Sequence, residues 1–224
     1  MPKFIAFEGI DGSGKTVQID MMEQHIIEMG KTVYKISFPR YNGVFGSEIG
    51  KMLADKRHPN AFELSPKDIS LWYALDRFDR MRGWMHWEFD YVLLNRFSLS
   101  NMAFQGSRME TEEDAKGLDE WLIGLENHTL GLPSPDSYIV FDVSPLQSRI
   151  NVSNKGARDY VGEEADLHEK DEDFQARVRM RYRTLAGNLS NVEIVDCLSA
   201  DGAMRSEEDI HKDVLEIMDR RNII

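Results

Sequence analysis

Phe4-Ile5-Ala6-Phe7-Glu8-Gly9-Ile10-Asp11-Gly12-Ser13-Gly14-Lys15-Thr16, near the start of a 224-residue chain, runs from a short apolar stretch into a glycine-rich turn and on into a helical pattern. Residues 9–16 meet G-x-x-x-x-G-K-[ST] at every fixed position, in the strand-then-helix setting that this motif requires. The chemistry follows from the residue types. Glycines let a backbone wrap a polyphosphate with its N–H groups turned inward. The N-terminus of the following helix adds a favourable dipole. Gly9, Asp11, Gly12, Ser13, Gly14, Lys15 and Thr16 are therefore expected to hold nucleotide phosphates. Lys15 is the point charge on the outer phosphates, and the Thr16 hydroxyl is suited to ligating Mg²⁺.

Outward from this loop, β-rich runs recur between helical patterns: Val33-Tyr34-Lys35-Ile36-Ser37, Tyr91-Val92-Leu93-Leu94, Tyr138-Ile139-Val140-Phe141 and Val192-Glu193-Ile194-Val195. With Phe4–Phe7 they make five, and four of them carry little internal polarity, as strands buried on both faces do. Ile19, Met22, Ile26 and Met29 keep one helical face, and Gly30 supplies a stop. Ser65-Pro66 predicts an N-cap followed by proline at the first helical position. Thr111 with Asp114, and Ser206 with Asp209, resemble capping boxes with Asp in place of Glu or Gln. Ile210, Val214, Ile217 and Met218 give the last helix an apolar face. Strands alternating with helices imply an α/β protein with the P-loop NTPase fold: a five-stranded parallel sheet with helices on both faces. Residues 1–224 are expected to form one domain, with a short mobile lid at about 151–162 where Asn154, Gly156 and Gly162 break the pattern.

Thirty-nine acidic residues against 27 basic ones leave a formal charge of −12, which disfavours general binding to nucleic acid or an anionic membrane. The single cysteine, Cys197, excludes an intrachain disulfide and lies beside a strand run, where a core position is expected. Neither a leader-like apolar segment at Met1-Pro2-Lys3-Phe4 nor a membrane-length apolar run is found, so a cytoplasmic protein is expected. Asn154-Lys155-Gly156-Ala157 begins like the N-K-x-D base-reading motif of GTPases but lacks its Asp and follows no strand.

Further blocks, in order along nearly the whole chain, resemble the thymidylate kinase family. Phe7–Thr16 is similar to that family's phosphate loop, including the acidic residue within it, and Phe38-Pro39-Arg40-Tyr41 to its F-P-R segment. Leu71-Trp72-Tyr73-Ala74-Leu75-Asp76-Arg77 resembles the substrate helix. Asn95-Arg96-Phe97 and Ser100-Asn101-Met102-Ala103-Phe104-Gln105-Gly106 stand where the family has D-R-[YH] and S-x-x-A-[YF]-Q-G. Gly131-Leu132-Pro133-Ser134-Pro135-Asp136 matches G-L-P-x-P-D, and Asp166–Glu169 with Phe174–Tyr182 resembles the segment after the lid.

The resemblance implies transfer of the γ-phosphate of ATP to dTMP, with Mg²⁺ and as a homodimer. Such a transfer needs positioning and charge neutralisation more than covalent catalysis. Lys15, Arg96 and a lid arginine are then the expected catalytic residues, and Arg40 is expected on the acceptor phosphate. The loop of this chain carries Gly12 where some members place an arginine, so the lid is expected to supply one: Arg158 first, Lys155 second, Arg149 at the lid's edge third. Asp11 is expected to accept a hydrogen bond from the acceptor's 3′-hydroxyl. Tyr73 and Arg77, four apart on one helix face, would stack on a pyrimidine and donate to its O4. Ser100, Asn101, Phe104 and Gln105 would complete the base pocket, with the amide that reaches N3 left open. Asp166 and Glu169, three apart, would bind the substrate hydroxyl or Mg²⁺ through water, although such acidic pairs are often only a solvated face.

One position departs from the pattern. Asn95 replaces the Asp of D-R, keeping the shape and one acceptor oxygen but losing the charge that suits Mg²⁺. Weaker metal use or slower turnover is expected. A kinase for another monophosphate such as dUMP, and a nucleotide-binding protein of weakened catalysis, are the competing readings.

Overall fold

The computed structural model describes residues 1–56, 58–154 and 172–224. Five strands form one sheet: β1 Lys3–Glu8, β2 Val33–Ser37, β3 Tyr91–Asn95, β4 Ser137–Asp142 and β5 Val192–Asp196. Their order is β2-β3-β1-β4-β5 and every pairing is parallel. All five expected runs are strands of this sheet. β3 and β4 are buried along nearly their whole length, as a sheet covered on both faces demands. The edge strands β2 and β5 are the exceptions: β2 buries Ile36 alone of its five residues, and β5 leaves Ile194 about a third exposed.

Eight α-helices complete the described residues: α1 Lys15–Glu28, α2 Val44–Leu53, α3 Pro66–Met81, α4 Ser98–Gly106, α5 Glu112–Ile123, α6 Pro145–Asn154, α7 Glu172–Asn188 and α8 Glu207–Arg220. A π-helical turn, Gly124–Thr129, continues α5. Ile19, Met22 and Ile26 of α1 enter the core, but Met29 does not: α1 ends at Glu28, and Met29 stands exposed at its C-cap before Gly30, whose φ is +73°. Ser65 caps α3 by accepting from the Asp68 amide, with Pro66 at the first helical position. Thr111 and Ser206 cap α5 and α8 likewise, at 3.1 Å from the amides of Asp114 and Asp209. The Asp side chains do not reach back to the cap amide as Glu would. They accept from the capping hydroxyls at 2.6 and 2.7 Å instead, because the shorter side chain ends there. Cys197 is in the core, where burial first, then the charges of Asp142 and Asp196, push its thiol up to about 12.

β1 lies at the centre of the sheet, with β3 and β2 on one side and β4 and β5 on the other. Crevices outside the carboxyl ends of such strands are where open α/β sheets bind ligands. The loop at residues 9–14 leaves β1 at that end.

Behind the sheet, α7 is tied to α5 by Arg181, whose two terminal nitrogens meet Glu112 and Asp119. Gly106 of α4 makes room for this arginine: a Cβ there would lie 2.9 Å from its Nε. Burial raises the Asp119 carboxyl to about 6, and Arg181 offsets only part of that cost. A carboxyl raised in the folded state binds its proton more tightly than the unfolded chain does, so its contribution to stability falls as pH rises from about 4 through about 6. Asp119→Asn should therefore remove a loss of stability between pH 5 and pH 7. Urea midpoints of both proteins at the two pH values test this, and parallel pH dependences would refute it.

Candidate active site

The phosphate loop is held by backbone conformations that suit glycine. Gly9, Gly12 and Gly14 have φ of +130°, +70° and +91°. At Gly9 there is no room either, since a Cβ would lie 2.6 Å from the Phe141 carbonyl. Gly12 is closed off from outside by α6: a Cβ would lie 2.5 Å from the Ser148 carbonyl and 3.0 Å from Val152 Cγ2. The same helix grips the loop by hydrogen bonds. Ser148 Oγ donates to the Asp11 carbonyl, and Asn151 Nδ2 donates to the Gly12 carbonyl at 2.8 Å. Residues 151–154, expected to open the lid, are thus the last turn of α6, and Asn151 is a clamp on the loop. Lys15 is buried, its Nζ donating to the carbonyls of Ile10 at 2.8 Å and Gly9 at 3.1 Å and to Ser13 Oγ at 3.3 Å. Thr16 is exposed in the first turn of α1.

Arg96 follows β3 directly, at φ +65°, a left-handed conformation that costs energy in a residue with a side chain. Its amide continues the ladder to the Phe7 carbonyl at 3.0 Å. The guanidinium donates to the Gly9 carbonyl at 3.0 Å, Ser100 Oγ at 3.1 Å and Asp11 Oδ1 at 2.9 Å, and lies 5.1 Å from the Phe104 ring centre. Burial works against its charge, but Asp11, together with the Tyr182 and Glu8 groups, more than offsets this and raises its pKa further.

Glu8, the last residue of β1, is fully buried beneath this arginine. Its Oε1 accepts from the Phe97 amide at 2.7 Å and the Ser100 amide at 3.3 Å, which caps the N-terminus of α4 from another element. Its Oε2 accepts from Ser100 Oγ and, at 3.0 Å, from the Tyr182 hydroxyl. Burial raises its pKa; the donors and Arg96 oppose that rise. Ser100, expected in the base pocket, is turned inward to Glu8, Arg96 and Tyr182, because the first turn of α4 sits over the end of β1.

The substrate-helix residues divide in the same way. Arg77 is 2 % exposed and forms a two-point pair with the equally buried Glu126, Nε to Oε2 at 2.7 Å and Nη2 to Oε1 at 2.5 Å. Burial lowers its pKa, and the Glu126 charge turns the net shift upward. Asn101 Nδ2 donates to the Ser70 carbonyl at 3.1 Å, while Asn101 Oδ1 is buried with no hydrogen-bond partner among the described residues. Gln105 Oε1 accepts from Arg108 at 2.8 Å, and Arg108 also binds the carbonyls of Ala61, Phe62 and Leu64. Gln105, expected in the base pocket, is thus joined through Arg108 to the 61–64 segment. Tyr73 packs beside Tyr41 and Trp72 on a small cluster with Ile49, Met52 and Ile69. Phe104 is buried edge-on to Phe174 at 6.1 Å. The Arg40 amide donates to buried Asp76 at 2.7 Å, and its guanidinium lies 3.5 Å from Asp79.

Arg149 of α6 is ion-paired with Glu172 on the surface. Lys155, Arg158, Asp166 and Glu169 lie outside the described residues. Sequence reasoning assigned no role to Glu8, Asp76, Glu126 or Ser148. Glu8 left a signal, a carboxylate closing an apolar strand; the others depend on contacts distant in sequence. Among the described residues no cluster of three or more His, Cys, Asp or Glu could hold a metal. Mg²⁺ takes one or two protein oxygens and completes its shell with phosphates and water, so single oxygens rather than a cluster are what would hold it. The exposed Thr16 hydroxyl is one suitable oxygen, and Asn95 Oδ1, buried with no hydrogen-bond partner among the described residues, is another.

A parallel sheet with a glycine loop, a lysine and a helix N-terminus at the carboxyl end of its central strand defines a phosphate-loop nucleotide-binding protein. Residues 7–214 match the model of the family described as thymidylate kinase, and the chain belongs to that family. It is 28 % identical to the thymidylate kinase of Mycobacterium tuberculosis, over 81 % of this chain and 85 % of that one. It is 30 % identical to that of Thermoanaerobacter sp. strain X514, over 96 % and 97 %. The solved thymidylate kinase of Candida albicans shares the fold, with a TM-score of 0.72 at 18 % identity, covering 99 % of this chain and 93 % of that one.

The close approach at Gly12 is directly testable. Gly12→Ala puts a Cβ against the Ser148 carbonyl at positive φ and should cost about 1–3 kcal/mol of stability. It should also weaken ATP binding by moving the loop from α6. Thermal denaturation with and without ATP checks both, and an unchanged midpoint would show that the loop relaxes freely.

Proposed function

We propose that the protein transfers the γ-phosphate of ATP to dTMP, giving dTDP and ADP. The observation that supports the acceptor is a pair of buried polar groups, Arg77 of α3 and Asn101 of α4. Asn101 Oδ1 is a buried acceptor whose amide is kept from flipping by the Ser70 carbonyl, and it suits the N3–H donor of thymine. Arg77 supplies a donor for O4. Cytosine offers a lone pair at N3 and an amino group at C4, so both contacts would turn against it. With Gln105 committed to Arg108, Asn101 is the amide assigned to N3. Tyr73 and Phe104 provide the aromatic walls.

In this reading the phosphate loop and Lys15 hold the outer phosphates of ATP, and Arg40 and Arg96 draw the acceptor phosphate toward them. An acceptor phosphate oxygen bonds to the γ-phosphorus as its bond to the β–γ bridging oxygen breaks, and ADP leaves with that oxygen. Arg96 would neutralise charge on the moving group; the contacts of its guanidinium with Gly9, Asp11 and Ser100, which fix its plane, support this role. Asp11, fixed by Arg96, receives the 3′-hydroxyl. Mg²⁺, bound with ATP, would neutralise phosphate charge, with Thr16 and Asn95 the oxygens offered to it or to its waters. Arg158 remains the proposed lid arginine. A homodimer and a cytoplasmic setting belong to the same proposal; no described helix is long and apolar enough to cross a membrane.

ADP release with ATP, Mg²⁺ and each of dTMP, dUMP and dCMP tests the assignment. dTMP should be preferred, and Lys15→Ala should lower turnover by about 10²–10³-fold. A preference for dCMP, or a Lys15→Ala variant of full activity, would overturn it. Asn95 favours slow metal use as a secondary feature. Asn95→Asp should raise kcat at limiting Mg²⁺, and identical Mg²⁺ titrations of the two proteins would remove Asn95 from the metal site.

A further inference from the structure

The Arg77–Glu126 pair joins α3 to the π-helical turn after α5, across 49 residues of sequence, and both side chains are all but sealed from solvent. Stability alone is a poor reason for such a pair. Removing two charges from water costs about as much as their attraction returns, and apolar replacements are often neutral or better. What a side-on carboxylate does supply is direction. A guanidinium is planar, so fixing Nε and Nη2 also fixes where the Nη1 hydrogens point. The Phe97 ring, 5.7 Å from the guanidinium carbon, limits tilting of that plane.

The other end of the pair is equally constrained. Glu126 lies two residues into the π turn, whose wider spacing is uncommon and recurs at functional sites. Its carbonyl accepts from the Leu132 amide at 2.9 Å, and Asn127 Nδ2 donates to the Leu132 carbonyl at 3.2 Å. The Gly131-Leu132-Pro133 segment therefore ties the turn in place before β4 begins.

We infer that Glu126 is a specificity-determining positioning residue: its carboxylate holds Arg77 so that Nη1 is presented to the O4 of a thymine base. It touches no substrate and acts through Arg77. The inference rests on the proposed dTMP reading, and its test separates the two. Glu126→Gln keeps the size but loses the charge and turns one donor toward Arg77; Glu126→Asp keeps the charge and draws the carboxylate back by one methylene. KM and kcat for dTMP and dCMP, and KM for ATP, are measured for the wild type, both variants and Arg77→Ala, with thermal midpoints alongside.

Glu126→Gln should raise KM for dTMP by about tenfold or more with kcat and the ATP KM little changed. It should narrow the dTMP-to-dCMP ratio of kcat/KM toward that of Arg77→Ala, with Glu126→Asp falling between the wild type and Gln. If the variants lower kcat for both acceptors equally and leave the ratio intact, Glu126 serves the fold only and the inference is overturned. Should Gln fail to fold, an Asp variant that folds with an unchanged ratio overturns it equally. A wild type that does not prefer dTMP to dCMP instead defeats the functional reading beneath it.

Discussion

The Glu8 carboxylate is the constraint around which the catalytic end of the sheet is arranged. A buried carboxyl at the end of the central strand needs donors from its surroundings, since an unsatisfied one would cost several kcal/mol. They come from three directions: the amides at the start of α4, the Ser100 hydroxyl and the Tyr182 hydroxyl of α7. Each bond sets a position that matters elsewhere. Capping α4 fixes the turn in which Arg96 adopts its left-handed conformation. Holding Ser100 gives Arg96 one of its three anchors. Engaging Tyr182 docks the helix that follows the undescribed segment against the strand that precedes the phosphate loop.

The loop itself is confined from its other side. α6 comes so close to Gly12 that no side chain fits there without displacement of Ser148. This gives a physical counterpart to the absence of an arginine at that position. A long basic side chain entering from residue 12 would need both a left-handed backbone and the space now filled by Ser148 and Val152. The grip of Ser148 and Asn151 on the loop carbonyls and the exclusion of a loop arginine are one packing arrangement.

How much of this was legible depends on the range of each interaction. The five strands were visible because parallel strands covered on both faces are unbroken apolar runs. The caps were visible because Ser65, Thr111 and Ser206 bond within three residues of themselves. Met29 was misplaced since periodicity does not locate a helix end to the residue. The partners of Ser100 and Gln105 are not legible, because α4 is buried on nearly every side and its pattern carries no sign of which face meets β1, α3 or the 61–64 segment. Glu126 had no local signal at all: its partner is 49 residues away, and an acidic residue near a helix end ordinarily faces water.

The groups assigned to the acceptor share one property. Arg77 is fixed by Glu126, Asn101 by the Ser70 carbonyl, Asp11 by Arg96, and Arg96 by Gly9, Asp11 and Ser100. Each of these groups is held by a hydrogen bond through another of its atoms or from its partner, so in the proposed reading little ordering would remain to oppose binding of the base and sugar, and the geometry of discrimination would exist before substrate arrives. In the proposed reading a cytidine nucleotide would be rejected because two buried groups would face the wrong partner, and neither could turn away without breaking the bond behind it. On that proposal, rigidity in the partners behind the pocket, rather than in the contact residues alone, would convert a modest pair of hydrogen bonds into selectivity between bases.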